Sequence, residues 1–345
     1  MGMYEGSAAE LPGNVLNALP NVDDLKLFFA DYDLPPEMLK QIKNVCAEHF
    51  SELQLLGRSL DVHRLQPANW VIDVKHVFAS SFFARVGGAK GKYQICMSLG
   101  VPLVALSVAE ELCTLESNQQ SSSLDSRYAN RENSVNNWFV GLHSLSKVSP
   151  GSVQLALDVA VLLYCHEVAH AIFGHCDYIP SNDNERRALE HDADFNAGAM
   201  FALWVQVLPS STRKSSSSKM IFKRLARSGY LLSVILKEVS SSSKKYHLPT
   251  SRLEAFLSGG VFAMAKSKRA PSFSSDLMAD KYWHDFYHDQ VKEIREAVSR
   301  SSLREHYEFE KDLSADRAAV FKCTAVVRDR LKDGPLTLHR LNISR

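Results

Sequence analysis

His166-Glu167-Val168-Ala169-His170 lies near the end of an apolar run from Val153 to Phe173, and the fold is read outward from it. The run contains no Pro or Gly, so its 21 residues can form about six helical turns. In a helix, His166 and His170 are one turn apart, about 5.4 Å of rise, and both imidazoles leave the same face. Each ring nitrogen can then meet one ion at about 2.0–2.1 Å. Glu167 is turned roughly 100° from that line. It is badly placed to ligate and well placed to touch a water held at the metal. Gly174 stands where a left-handed helix cap is expected. The bland alternative is a core helix with two buried histidines and a paired carboxylate. Ionisable groups on so apolar a helix are costly unless paired or metal-bound.

By composition the motif arises by chance in roughly 3 chains per hundred, so it needs a second half. Ala188 to Ala197 reads as another helix, with Glu190 and Asp194 at i, i+4 on one face. A catalytic zinc takes three protein ligands and keeps one position open. Glu190 is the expected third ligand. Asp194 is expected to accept from the other ring nitrogen of a ligating histidine, with Asp194 as the ligand being the alternative. Ala193 and Ala197 are small enough to let this helix approach the first. His191 and Asp192 point elsewhere and read as exposed polar residues. His175 reads as a neighbour of the site, or equally as a cap or a surface residue. Cys165 lies about 100° around the helix from His166, and it and Cys176 read as core thiols.

Composition bounds the rest. The 345 residues are 45% hydrophobic and 23% charged, an ordinary globular balance with room for one large domain or two. A formal net charge of +1 shows no basic excess, which argues against nucleic acid as a partner. Six scattered cysteines without a CxxC pair fit reduced thiols and a cytoplasmic location. Met1 to Gly6 lacks the basic and apolar regions of a signal peptide. The longest apolar run carries Asp158, His166, Glu167 and His170, so no membrane span is expected.

Along the chain, residues 21–56 read as two helices, the second entered through Pro35-Pro36. Trp70–Val77, Ser81–Val86 and Tyr93–Leu99 read as strands, the last two joined by a glycine-rich turn at 87–91. Tyr93–Leu99 is a candidate sheet edge able to pair with an extended peptide. Leu103–Leu115 reads as a helix and Ser117–Asn137 as a polar surface excursion. Serine runs at 215–218 and 240–243 bound a helix over 219–239, and further helices are expected over 281–299 and 314–331. The class is α+β: mostly helical, with a small antiparallel sheet beside the HExxH helix. The expected organisation is an N-terminal helical segment over 1–65, a central domain over 66–262 and a C-terminal helical segment over 263–345.

HExxH followed by Glu190-His191-Asp192-Ala193-Asp194 resembles the gluzincin metallopeptidases, in particular the HtpX-like and CAAX-prenyl-protease clan. Ser81 to Ala84 with Tyr93 to Leu103 is similar to that clan's strand leading into a helix. His247-Leu248-Pro249-Thr250-Ser251-Arg252-Leu253 is similar to its His-Pro…Arg segment, with Leu248 where the clan has Pro. His166 to His175 also resembles the soluble bacterial phage-exclusion (Lit-like) and ImmA/IrrE-like peptidases. The resemblance spans roughly residues 80–260. It implies a zincin-like fold, Zn2+ on His166, His170 and Glu190, Glu167 as base, and a protein or peptide substrate. It brings Tyr246, His247 and Arg252 near the site, where a donor for the tetrahedral oxyanion is needed. For Arg252 a structural ion pair is an equal alternative. Two competing readings stay open: a zinc-stabilised interaction protein without catalysis, and a metal-dependent hydrolase acting on something other than peptides. Oligomeric state is left open.

Overall fold

A computed structural model of the chain describes residues 14–16, 19–30, 34–62, 70–117, 148–207, 217–239, 249–266, 273–298 and 313–332. The described residues are mostly helical with one small sheet, an α+β arrangement. The described residues divide into two compact units, one up to Ile179 that also takes in residues 331–332, the other within Pro180–Arg330.

The first unit holds the sheet. Its strands are β1 (Asn14–Leu16), β2 (Val71–Phe78), β3 (Ala84–Ala89) and β4 (Lys92–Ser98), in the order β1-β2-β4-β3. β1 and β2 pair antiparallel, as do β3 and β4, but β2 and β4 run parallel. The sheet is therefore mixed rather than antiparallel. The cause is the path of the chain: after β2 it crosses to the far edge as β3 and returns through a tight turn as β4, between the two. Lys90 and Gly91 in that turn have φ of 52° and 84°. β4 is therefore paired on both sides. The expectation that Tyr93–Leu99 forms a free edge is corrected; that position belongs to β3. β4 carries the signature of an interior strand, since Ile95, Cys96, Met97 and Ser98 are all buried in an unbroken run.

Two helices precede β2: α1 (Val22–Phe28), capped by Asn21, and α2 (Pro36–Val62). α3 (Gly100–Ser117) follows β4 directly, with Pro102 tolerated in its first turn. α4 (Pro150–Ile172) is the HExxH helix. Ser149 caps it by accepting from the Ser152 backbone N–H, and Pro150 occupies the first turn. Glu110 of α3 accepts from the Ser149 backbone and the Ser152 hydroxyl, tying the start of α4 down. Every residue from Leu155 to Ile172 is buried, against α2, α3, β3 and β4. By length and composition α4 is apolar enough to cross a membrane, and its apolar window is wholly buried inside the fold. An all-round apolar helix is what a core position requires. Deleting one buried leucine side chain here, as in Leu162→Ala, costs about 2–5 kcal/mol.

The second unit is helical in its described residues: α5 (Asp183–Val207), α6 (Ser218–Val239), α7 (Pro249–Lys266), α8 (Asp276–Val298) and α9 from Leu313. α7 packs against both α5 and α6. The α5–α7 contact is close because it is built on glycine. A Cβ on Gly198 would sit 1.9 Å from the Phe256 carbonyl oxygen, and one on Gly259 would sit 1.7 Å from that of Phe195. The polar stretch expected as a surface excursion lies largely outside the described residues, as do the loops on either side of α6.

Candidate metal centre

The histidine half of the site is built by α4 and the turn after it. His166 and His170 are buried, at 4% and 3% exposure, with their Nε2 atoms 3.0 Å apart. The spacing on one helical turn produces this convergence. Gly174 then adopts φ 79°, ψ 12°, the left-handed conformation expected there. It swings the chain into a 3-10 turn, His175–Asp177. His175 is fully buried by this reversal, and its Nδ1 lies 3.1 Å from Nδ1 of His170. A hydrogen bond there engages the back nitrogen of His170 and leaves Nε2 facing His166. His175 thus stands behind the ring of His170. It is therefore a buried neighbour of His170 and not a surface residue, and Gly174 is the local signal of the reversal that buries it.

The turn itself is clamped. Asp177 accepts from the Tyr93 hydroxyl at 2.5 Å and from the Lys90 backbone N–H at 3.2 Å. The hairpin of β3 and β4 therefore fixes the segment that presents His175. Burial and the Asp177 carboxylate push the Tyr93 phenol well above its ordinary pKa. Glu167 is buried beside this turn, at 7% exposure. Burial first, and then the negative charges of Glu167 and Asp177, raise the Cys176 thiol, and burial raises Cys165. Cys165 is a core thiol, as expected, whereas Cys176 in the turn is only half-buried.

The carboxylate half is on α5. Glu190 is 8% exposed and Asp194 fully buried. Arg252 on α7, itself 3% exposed, grips Asp194 with two hydrogen bonds of 2.9 and 2.8 Å. Its Nη2 also stands 3.8 Å from Glu190. Arg252 is thus a structural cation that holds the two carboxylates of one helical face in place. That geometry is the ion-pair alternative given for Arg252, and it uses the guanidinium's two-pronged donor set. Asp192 departs from the expectation of an exposed residue: it is buried and pairs with Arg328 of α9 (Leu313–Lys332), with Asn196 donating to it as well. His191 is half-buried. Tyr246 and His247 lie outside the described residues.

One ring nitrogen each from His166 and His170 and one carboxylate oxygen from Glu190 lie within 4.8 Å of one another, a buried group that could hold a metal ion. It contains Glu190 and not Asp194. Among the described residues no other set of three or more His, Cys, Asp or Glu side chains meets this condition. Comparison of the chain with protein-family models, curated proteins and solved structures returns no match.

Proposed function

We propose that this protein is a zinc-dependent endopeptidase with a zincin-like site, acting on an intracellular protein. The observation that carries the proposal is the buried His166, His170 and Glu190 group with Glu167 beside His166 on the same helix. Two imidazoles and one carboxylate are the donor set of catalytic zinc sites, which keep a fourth position open. Closed structural sites favour thiolates, and the buried group contains none. The donors therefore fit a divalent cation at an open site. When bound, it supplies Lewis acidity, which acidifies a water and polarises a carbonyl.

The chain's own groups do the rest. Glu167 takes a proton from the water as its oxygen bonds to the carbonyl carbon. It returns that proton to the amide nitrogen as the carbon–nitrogen bond breaks. His175 fixes the ring of His170, and Arg252 with Asp194 fixes Glu190. β3 is the edge strand beside α4, so an extended peptide can add to it by strand pairing. All six cysteines are free, in keeping with a reducing compartment.

The test has two arms. Metal content is measured by mass spectrometry on wild type, His166→Ala and Glu190→Gln. Near-stoichiometric zinc in the first and little in the others is expected; equal metal in all three ends the proposal. Cleavage of a proteome-derived peptide library is then compared for wild type and Glu167→Gln. Zinc binding with no cleavage by wild type favours the rival reading of a metal-stabilised interaction protein, for which Glu167 has no use.

A further inference from the structure

A second His-x-x-x-His pair lies far along the chain, on α8, in the segment Lys281-Tyr282-Trp283-His284-Asp285-Phe286-Tyr287-His288. α8 is amphipathic: Trp283, Gln290, Val291 and Ile294 are buried on one side. His284 and His288 are both exposed, on the other side. Their Nε2 atoms are 3.0 Å apart and their ring centroids 4.2 Å apart. His284 Nδ1 lies 3.6 Å from a carboxylate oxygen of Asp285. The Asp285 carboxylate thus stands by the ring nitrogen opposite the one that faces His288.

We propose that His284 and His288 form a second metal site, an exposed two-imidazole chelate for a late first-row divalent cation. Nitrogens 3.0 Å apart share one ion at about 2.0–2.1 Å from each. The other coordination positions face solvent and are filled by water. Two neutral nitrogens and water carry no thiolate to favour zinc and no carboxylate cage to favour calcium or magnesium. Affinity then follows the order of intrinsic stability, with Cu2+ above Ni2+ and Zn2+. The pre-set helix makes the second imidazole an intramolecular donor, so little ordering is needed when the ion arrives. This site depends on neither the hydrolase reading nor any residue of the buried group.

The experiment titrates Cu2+ into the full chain, as wild type, as His284→Ala and as the double variant His284→Ala/His288→Ala. Calorimetry reads stoichiometry and electron paramagnetic resonance reads the nitrogen ligands. Wild type should take up one more equivalent than the double variant, with splitting from two nitrogens for that equivalent. The single variant should lose roughly tenfold or more in affinity at that site. Identical stoichiometry and affinity in wild type and double variant overturn the proposal. So does a double variant that also loses the metal retained on purification, because the sites would then not be independent. Both positions are exposed, and circular dichroism confirms that the variants fold.

Discussion

The protein presents the same pair of histidines twice, and the two pairs have opposite surroundings. On α4 and on α8 the Nε2 atoms stand 3.0 Å apart. That distance is a property of the helix, which puts residues i and i+4 one above the other. Everything else differs. On α4 the rings are buried, backed by His175, next to Glu167 and grouped with Glu190. On α8 they are exposed, with Asp285 alongside. The comparison separates two properties that a motif merges. Both pairs have the spacing of a chelate and a carboxylate next to the first histidine; burial and a third donor belong to the α4 pair alone.

The largest effect should come from the carboxylate beside the buried pair, Glu167, which is 7% exposed where Asp285 beside the other pair is exposed. Glu167→Gln keeps shape and hydrogen bonding but cannot accept a proton. Peptide turnover should fall by about 10²–10⁴-fold while zinc content is unchanged. The matching change on α8, Asp285→Asn, should leave turnover at the wild-type value. Quantifying new peptide termini from the library checks both. A Glu167→Gln protein that cleaves at the wild-type rate removes the base from the mechanism.

The carboxylate Glu190 has a buried cation and a second carboxylate beside it, which the exposed pair lacks. Arg252→Ala strands Asp194 without its two-pronged partner inside the second unit. Breaking a buried pair from one side should cost about 3–5 kcal/mol, read as a lowered urea midpoint. Lys281, which stands 3.5 Å from Asp285 on α8, is 76% exposed. Lys281→Ala should shift the midpoint by less than about 0.5 kcal/mol.

Burial has a pH signature too. His76 on β2 is buried against Phe50, at a centroid distance of 3.6 Å. Desolvation lowers it from 6.5 to about 4. The unfolded chain therefore binds the extra proton between those values, and the folded one does not. Its contribution to stability is present above pH 6.5 and is lost as pH falls towards 4. The loss amounts to about 3 kcal/mol. Urea unfolding of metal-free wild type and His76→Gln at pH 7 and pH 4.5 isolates it. Wild type should lose more stability across that interval than the variant, and equal losses would remove His76 as the cause.

How much of this was legible before the structure follows the same division. The pairing of His166 with His170, the offset of Glu167 and the shared face of Glu190 and Asp194 are helix periodicity, a local property readable from spacing. The left-handed Gly174 is equally local. What escaped reading is long-range. Arg252 meets Asp194 across 58 positions and Tyr93 meets Asp177 across 84, and no period encodes either contact. The parallel pairing of β2 with β4 depends on where β3 inserts, which strand propensity does not reveal. The burial of Asp192 depends on Arg328, 136 residues away. The pair on α8 has the same local periodicity, on a helix without a long apolar run.

The smallest effect tests whether His175 makes the buried pair more than a chelate. His175→Gln removes the ring nitrogen facing His170 Nδ1 and leaves both proposed histidine ligands in place. Zinc affinity should fall about 10–100-fold, measured by competition with a chromogenic chelator. His175→Asn, whose shorter amide can mimic Nδ1, should recover part of the loss. The Cu2+ affinity of the α8 pair should not move in either variant, because nothing of comparable burial stands behind those rings. If His175→Gln binds zinc as wild type does, His170 is held by the helix alone. The two pairs would then differ only in their neighbours.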